Sequence, residues 1–432
     1  MGVNDENLCK SKGGEPKKLT GCDGICCTGL NPNSIYNYEC SPLKARGNFR
    51  VVIANNYYTD KNEFLEDAGQ LAYNFYQMRG LSQTDMFKIS FYAAWSEDLA
   101  LAQKENPLID YDNPMANRAM TSCGGQFIIT LSTSAGRAGA GSFWINMYKL
   151  GNDIKDTYVV SHELSHSLAR LADEYVENED VSAPPDAKPY GLGINVSETY
   201  PCNKWSSKPY ANQVGCHKGA WYNNWYRPWE KSLMTCKSLE LNPPSVEGWE
   251  IALKNYKSSE TPTLNFTFNT NDTIYHQLLS LTINQDADKN LKLVKQEIQE
   301  GYPMDYALNL QDNYYIVRIV DKNNRKLFEG KIRYMDEIYI EDFSTNPPKG
   351  TYTSKFTDQL LLNLPVYKTA ASVIILDKSG KIKLNIATTN PDSAYSLYDI
   401  QDYSSLCGNG LCDNLIGENI NTCKNDCQSI DK

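Results

Sequence analysis

Residues 156–175 read DTYVVSHELSHSLARLADEY and hold two of the four histidines in a chain of 432 residues. His162, Glu163 and His166 form HExxH. Residues four apart on a helix differ by about 40° in azimuth and about 6 Å along the axis, so both imidazoles can turn a nitrogen to one ion. Glu163 stands beside that pair, where a carboxylate can reach a water near the ion and act as general base. The competing reading is a solvated helix face that carries His and Glu by chance. A catalytic zinc takes three protein ligands, so a third donor belongs nearby. Asp173 returns to the pair only if the helix ends and the chain folds back within residues 169–172; Glu174 is the other candidate, and an acidic pair with a structural role is the third reading. No glycine stands in that stretch to take a left-handed turn.

Upstream, residues 49–54 (FRVVIA) read as a buried strand. Phe64, Leu65, Ala68, Leu71, Ala72, Phe75 and Tyr76 then recur at helical spacing, with Asp60 and Glu63 placed as N-cap and N3 of a capping box. Residues 87–94 (FKISFYAA) and 127–132 (FIITLS) read as further strands, giving a mixed sheet with helices packed on it. The glycine-rich SAGRAGAGS (134–142) lacks the GK[ST] ending of a phosphate-binding loop. The run SFWINMY (142–148) is a candidate edge strand for an extended peptide. Beyond about residue 260 the pattern changes to period-two runs separated by turns, 314–320 with 327–334 and 372–376 with 381–386, which predicts an antiparallel β-sandwich. The division that follows is a Cys-rich module at 1–46, an α+β unit with a mixed sheet at 47–258, an all-β sandwich at 259–402 and a second Cys-rich module at 403–432.

HELSHSLARLADEY resembles the active-site helix of the immunoglobulin-A-peptidase family of zinc metallopeptidases (metallopeptidase family sixty-four), whose motif runs HExxHxxxGLxDEY. VVIANNYYTDKNEFLEDAGQLAYNFYQ (51–77), NVSETYPCNKW (195–205) and WYRPWEKSLM (225–234) resemble other segments of that family, so the likeness spans residues 48–255. It implies a zincin-like catalytic domain, Zn2+ held by His162, His166 and Asp173, and Glu163 as the catalytic base. Ser232-Leu233-Met234, following YRP, resembles the Met-turn that sets a thioether beneath the zinc. Two departures stand out: Arg170 occupies the place of the glycine that bends the helix, and Asn56-Tyr57 replace an Asp-Gly turn. Tyr175, Tyr226 and Arg227 are open as transition-state donors. His217 reads as a surface residue and His276 as part of the sandwich.

The 13 cysteines fall into groups of five (Cys9, Cys22, Cys26, Cys27, Cys40), four (Cys123, Cys202, Cys216, Cys236) and four (Cys407, Cys412, Cys423, Cys427). Disulfides formed outside the cytosol fit them better than zinc knuckles, since neither end shows paired CxxC units or a nearby His. The odd thiol is expected in the first group. A secreted or surface location follows, with a signal or anchor expected upstream of residue 1. Asn195, Asn265 and Asn271 head glycosylation sequons. Asp413, Asn414, Glu418 and Asn419 offer oxygens for Ca2+, against a metal-free disulfide knob as the default. With 42 Lys and Arg against 52 Asp and Glu, a net charge of −10, and no basic run, the chain lacks the footprint for nucleic acid or anionic lipid. No apolar stretch is long enough to span a bilayer. The sequence thus points to a zinc endopeptidase acting on a protein or peptide, with immunoglobulin A one candidate substrate. The alternative is a non-catalytic surface-binding protein on the same scaffold, which Arg170 favours.

Overall fold

FRVVIANN has no polar face, so a strand made from it needs cover on both sides. That strand, β4 (Phe49–Asn56), is buried at every position. The computed structural model describes residues 15–17, 26–28, 36–44, 47–105, 113–133, 138–140, 144–148, 158–176, 182–183, 187, 191–256, 273–286, 290–300, 303, 306, 314–333, 338–342, 349–353 and 359–388. Ahead of β4 lie β1 (Glu15–Lys17) and β2 (Cys26–Thr28), which pair with each other, and β3 (Glu39–Lys44). After it come α1 (Lys61–Phe75), the one-turn α2 (Gln83–Met86), β5 (Ile89–Trp95), α3 (Glu97–Glu105), α4 (Asn113–Ser122), β6 (Phe127–Ser132), β7 (Ala138–Ala140) and β8 (Trp144–Tyr148).

A five-stranded mixed sheet runs β8-β6-β4-β5-β3. Its β4–β5, β4–β6 and β6–β8 pairs are parallel, and β3 joins β5 antiparallel. One face, with Val51, Ile53, Phe91 and Ile129, packs on Phe64, Ala68 and Phe75 of α1; the other, with Val52, Ala54 and Ile128, packs on Ala116, Ala119 and Met120 of α4. Two covered faces explain why β5 and β6 are buried throughout rather than alternating. The Asp60 cap holds: its side chain accepts from the Glu63 amide at 2.9 Å and starts α1 where the periodicity places it.

The chain continues through α5 (Val159–Ser167), β9 (His217–Ala220), β10 (Tyr222–Arg227) and α6 (Pro243–Ala252). Next come β11 (Thr273–Gln285), β12 (Leu291–Glu300), β13 (Tyr314–Asp321), β14 (Lys326–Arg333), β15 (Ile338–Asp342), β16 (Lys349–Thr353), β17 (Gln359–Tyr367), β18 (Ala370–Asp377) and β19 (Ile382–Ala387). The antiparallel sheets β12-β11-β17 and β14-β13-β18-β19 share one apolar core. Leu281 and Ile283 of β11 and Leu362 and Leu364 of β17 enter it from the first sheet, Val317 and Ile319 of β13 and Val373 and Ile375 of β18 from the second. The period-two runs thus form antiparallel sheets, and apolar side chains of both meet in that core.

The remaining two strands, β15 and β16, pair with each other, and β15 also pairs antiparallel with β7, Tyr339 opposite Ala140 and Glu341 opposite Ala138. The first sheet is thereby extended to eight strands, β16-β15-β7-β8-β6-β4-β5-β3. This corrects the edge-strand expectation: β8 is flanked by β6 and β7, because part of the glycine-rich run folds back as β7. A reciprocal amide pair between Asn117 of α4 and Asn363 of β17, 3.1 Å in one direction, also joins the two regions.

Two disulfides, Cys40–Cys123 and Cys202–Cys216, are those of an oxidising compartment. The first corrects the cysteine grouping. Strand β3 lies beside β5 and carries Cys40 to the residue after α4, so among the described side chains the thiol outside both bridges is Cys236, in the middle group. The side chains of the other cysteines, Asn265, Asn271, His276 and the candidate Ca2+ ligands Asp413, Asn414, Glu418 and Asn419 lie outside the described residues. Among the described residues, no helix is long and apolar enough to cross a membrane.

Candidate metal centre

The helix that carries HExxH has weak local support. Tyr158 gives α5 no side-chain cap, and three serines interrupt it. Packing holds it instead, since all nine of its residues are buried. Val159, Val160 and Leu164 join the core beneath the sheet, and the Trp249 indole of α6 donates to Ser165 Oγ at 3.0 Å. The solvated-face reading of this segment is therefore overturned.

The helix ends at Ser167, and the chain folds back as the third-ligand reading requires. Arg170 makes the bend by adopting φ 56° itself. The Leu171 amide returns to the Ser165 carbonyl at 3.2 Å, and the Arg170 carbonyl accepts from Leu192 at 3.1 Å. Gly191 faces that carbonyl, and a Cβ there would stand 2.4 Å from it. The glycine missing from the bend is thus found in the segment packed against it. Tyr57, at the other departure from the family pattern, is also left-handed, with φ 60°.

This path brings Asp173 to the imidazoles. His162 Nε2 and His166 Nε2 are 3.0 Å apart, and Asp173 Oδ1 lies 3.2 Å from the first and 3.3 Å from the second. A tetrahedral site with bonds of about 2.0–2.1 Å has edges of about 3.3 Å, so the triangle is the size of one face of such a coordination shell. All three side chains are fully buried, and together they can hold a metal ion. The outward nitrogens are engaged as well: His166 Nδ1 meets the Leu171 carbonyl at 2.7 Å and His162 Nδ1 the Leu233 carbonyl at 3.3 Å. Donation to those carbonyls leaves each Nε2 lone pair for an ion. Burial pushes the Asp173 carboxyl up, but His166 and His162 outweigh it and hold the group below the usual carboxylate range.

Glu163 is buried on the same helix and is not one of the three converging donors. Met234 lies in a 3-10 turn, Leu233–Thr235, packed against α5 and closed by a Ser232–Thr235 capping box. Tyr175 is the candidate donor that adjoins the site, its ring stacked on His162 at 6.4 Å. Tyr226 packs at a tilt against Tyr200 instead, Arg227 donates to the Gly219 carbonyl, and His217 lies 3.7 Å from Glu230 at the surface.

Glu174, the other ligand candidate, is engaged elsewhere. Its oxygens accept from Asn195 at 2.8 Å, from Asn242 at 2.7 and 2.8 Å, and from the Ser232 hydroxyl. Burial raises its pKa, opposed by those hydrogen bonds. Asn195 also clamps the Ala172 amide and carbonyl at 2.9 and 2.7 Å. A fully buried amide so engaged is not open to glycosylation, so the Asn195 sequon reflects a structural asparagine. Sequence reasoning missed Asn195, Asn242 and Cys236, whose Sγ lies 3.7 Å from His162 Nδ1. Only Asn242 carried a local signal, as an N-cap preceding two prolines.

In comparisons with known proteins, no family model and no curated protein matches the chain. The family likeness therefore rests on its motif residues.

Proposed function

We propose that the protein is a secreted or surface zinc endopeptidase, and the observation that carries this reading is the triangle formed by His162, His166 and Asp173. Zinc, when bound, supplies Lewis-acid polarisation of a carbonyl and acidifies water. Leu233 and Leu171 fix the two imidazoles through their Nδ1 atoms and set the tautomer that presents Nε2. Glu163 takes a proton from the attacking water and returns it to the leaving amine. Left-handed residues at both glycine positions of the family pattern, Tyr57 and Arg170, support the zincin-like reading. The substrate is a protein or peptide, with immunoglobulin A a candidate through resemblance alone. The surface-binding alternative loses the feature that favoured it, because Arg170 makes the bend.

The test compares wild type with Glu163→Ala on a mixed-peptide library, with bound zinc quantified in both. The wild type should cleave, and the variant should keep its zinc while its rate falls by about 10²–10⁴. Cleavage that survives the substitution would sink this mechanism, and zinc without cleavage in either protein would favour the binding reading.

A further inference from the structure

Three segments meet at the metal centre, and one side chain on the first of them bonds to the other two. The segment after α5 carries Asp173; the turn before α6 carries Leu233, whose carbonyl faces His162 Nδ1; and the third carries Asn195, which bonds to the Ala172 backbone. Glu174 joins the three. Its amide donates to the Met234 carbonyl at 2.8 Å, and its carboxylate accepts from Ser232, Asn242 and Asn195. Asn242 in turn caps α6 by accepting from the Ser245 amide at 3.0 Å. Every group in this network is buried.

We propose that Glu174 is the positioning residue of the metal centre, tying the Asp173 segment to the turn whose Leu233 carbonyl orients His162. This rests on the metal reading above. Without the carboxylate, the Ser232, Asn242 and Asn195 donors lose a shared buried acceptor, and the two segments lose their common anchor. Groups that orient metal ligands in this way are worth about tenfold to a hundredfold in affinity.

The experiment titrates zinc alone, by competition with a chromogenic chelator, into wild type, Glu174→Ala, Glu174→Gln and Ser232→Ala. Circular dichroism and thermal midpoints are recorded in parallel, and every titration is made well below the midpoint. Glu174→Ala should weaken zinc binding about tenfold to a hundredfold. Glu174→Gln should recover to within about threefold, because its amide oxygen can accept from Asn195 and Asn242 while its NH2 donates to a reversed Ser232 hydroxyl. If Glu174→Ala does not fold, Ser232→Ala, which keeps the carboxylate, reads the same link and should weaken binding by about tenfold. A folded Glu174→Ala that binds zinc like wild type overturns the proposal, as does a folded Glu174→Gln that recovers nothing. A wild type that binds no zinc overturns the metal reading and this proposal with it.

Discussion

Arg170 bears a conformation that costs an L-residue roughly 1–2 kcal/mol, and its φ of 56° is what turns Asp173 back to the histidines. Substitution there separates backbone from side chain. Arg170→Gly removes the Cβ penalty but frees the unfolded chain, so its unfolding free energy should stay within about 1 kcal/mol of wild type with zinc binding kept. Arg170→Val puts a β-branched residue at positive φ and should cost about 1–3 kcal/mol while weakening zinc binding. Denaturant titration beside zinc titration checks both. Read along the chain, the lack of a glycine at 169–172 weakens the third-ligand geometry. Nothing local reveals that Gly191, remote in sequence, supplies the room that the bend needs.

Among the elements, α1 and strands β4 to β6 are legible because their signals are local: a spaced apolar face, a cap, and short β-branched runs. The HExxH histidines are legible for the same reason. The covalent link between β3 and the end of α4 is not, since it joins residues separated by 83 positions and depends on sheet order. Closing a loop of that length removes about 4.5 kcal/mol of unfolded-state entropy in the chain-entropy model. Replacing Cys40 and Cys123 together by alanine should therefore lower the unfolding free energy by about 2–5 kcal/mol, measured in denaturant without reductant. Removal of Cys202–Cys216, with a separation of 14, should cost less.

At the scale of the whole molecule, the hairpin β15–β16, which lies in the chain between β14 and β17 of the paired sheets, adds to the mixed sheet where β15 meets β7. Ile340 has neighbours on both sides, Gly139 and Thr351, so proline there loses a ladder bond whichever way its amide points. Ile340→Pro should loosen the link between the two regions, and calorimetry should resolve a separate transition for the paired sheets where wild type should give overlapping ones. This joint is hidden from a linear reading, because short strands far apart in the chain carry no mark of their partner. Burial of the three donor side chains has a practical side too. If those donors hold an ion, a chelator and a peptide must reach it through the same open coordination position, so slower stripping by chelators when a peptide is present would report that shared approach.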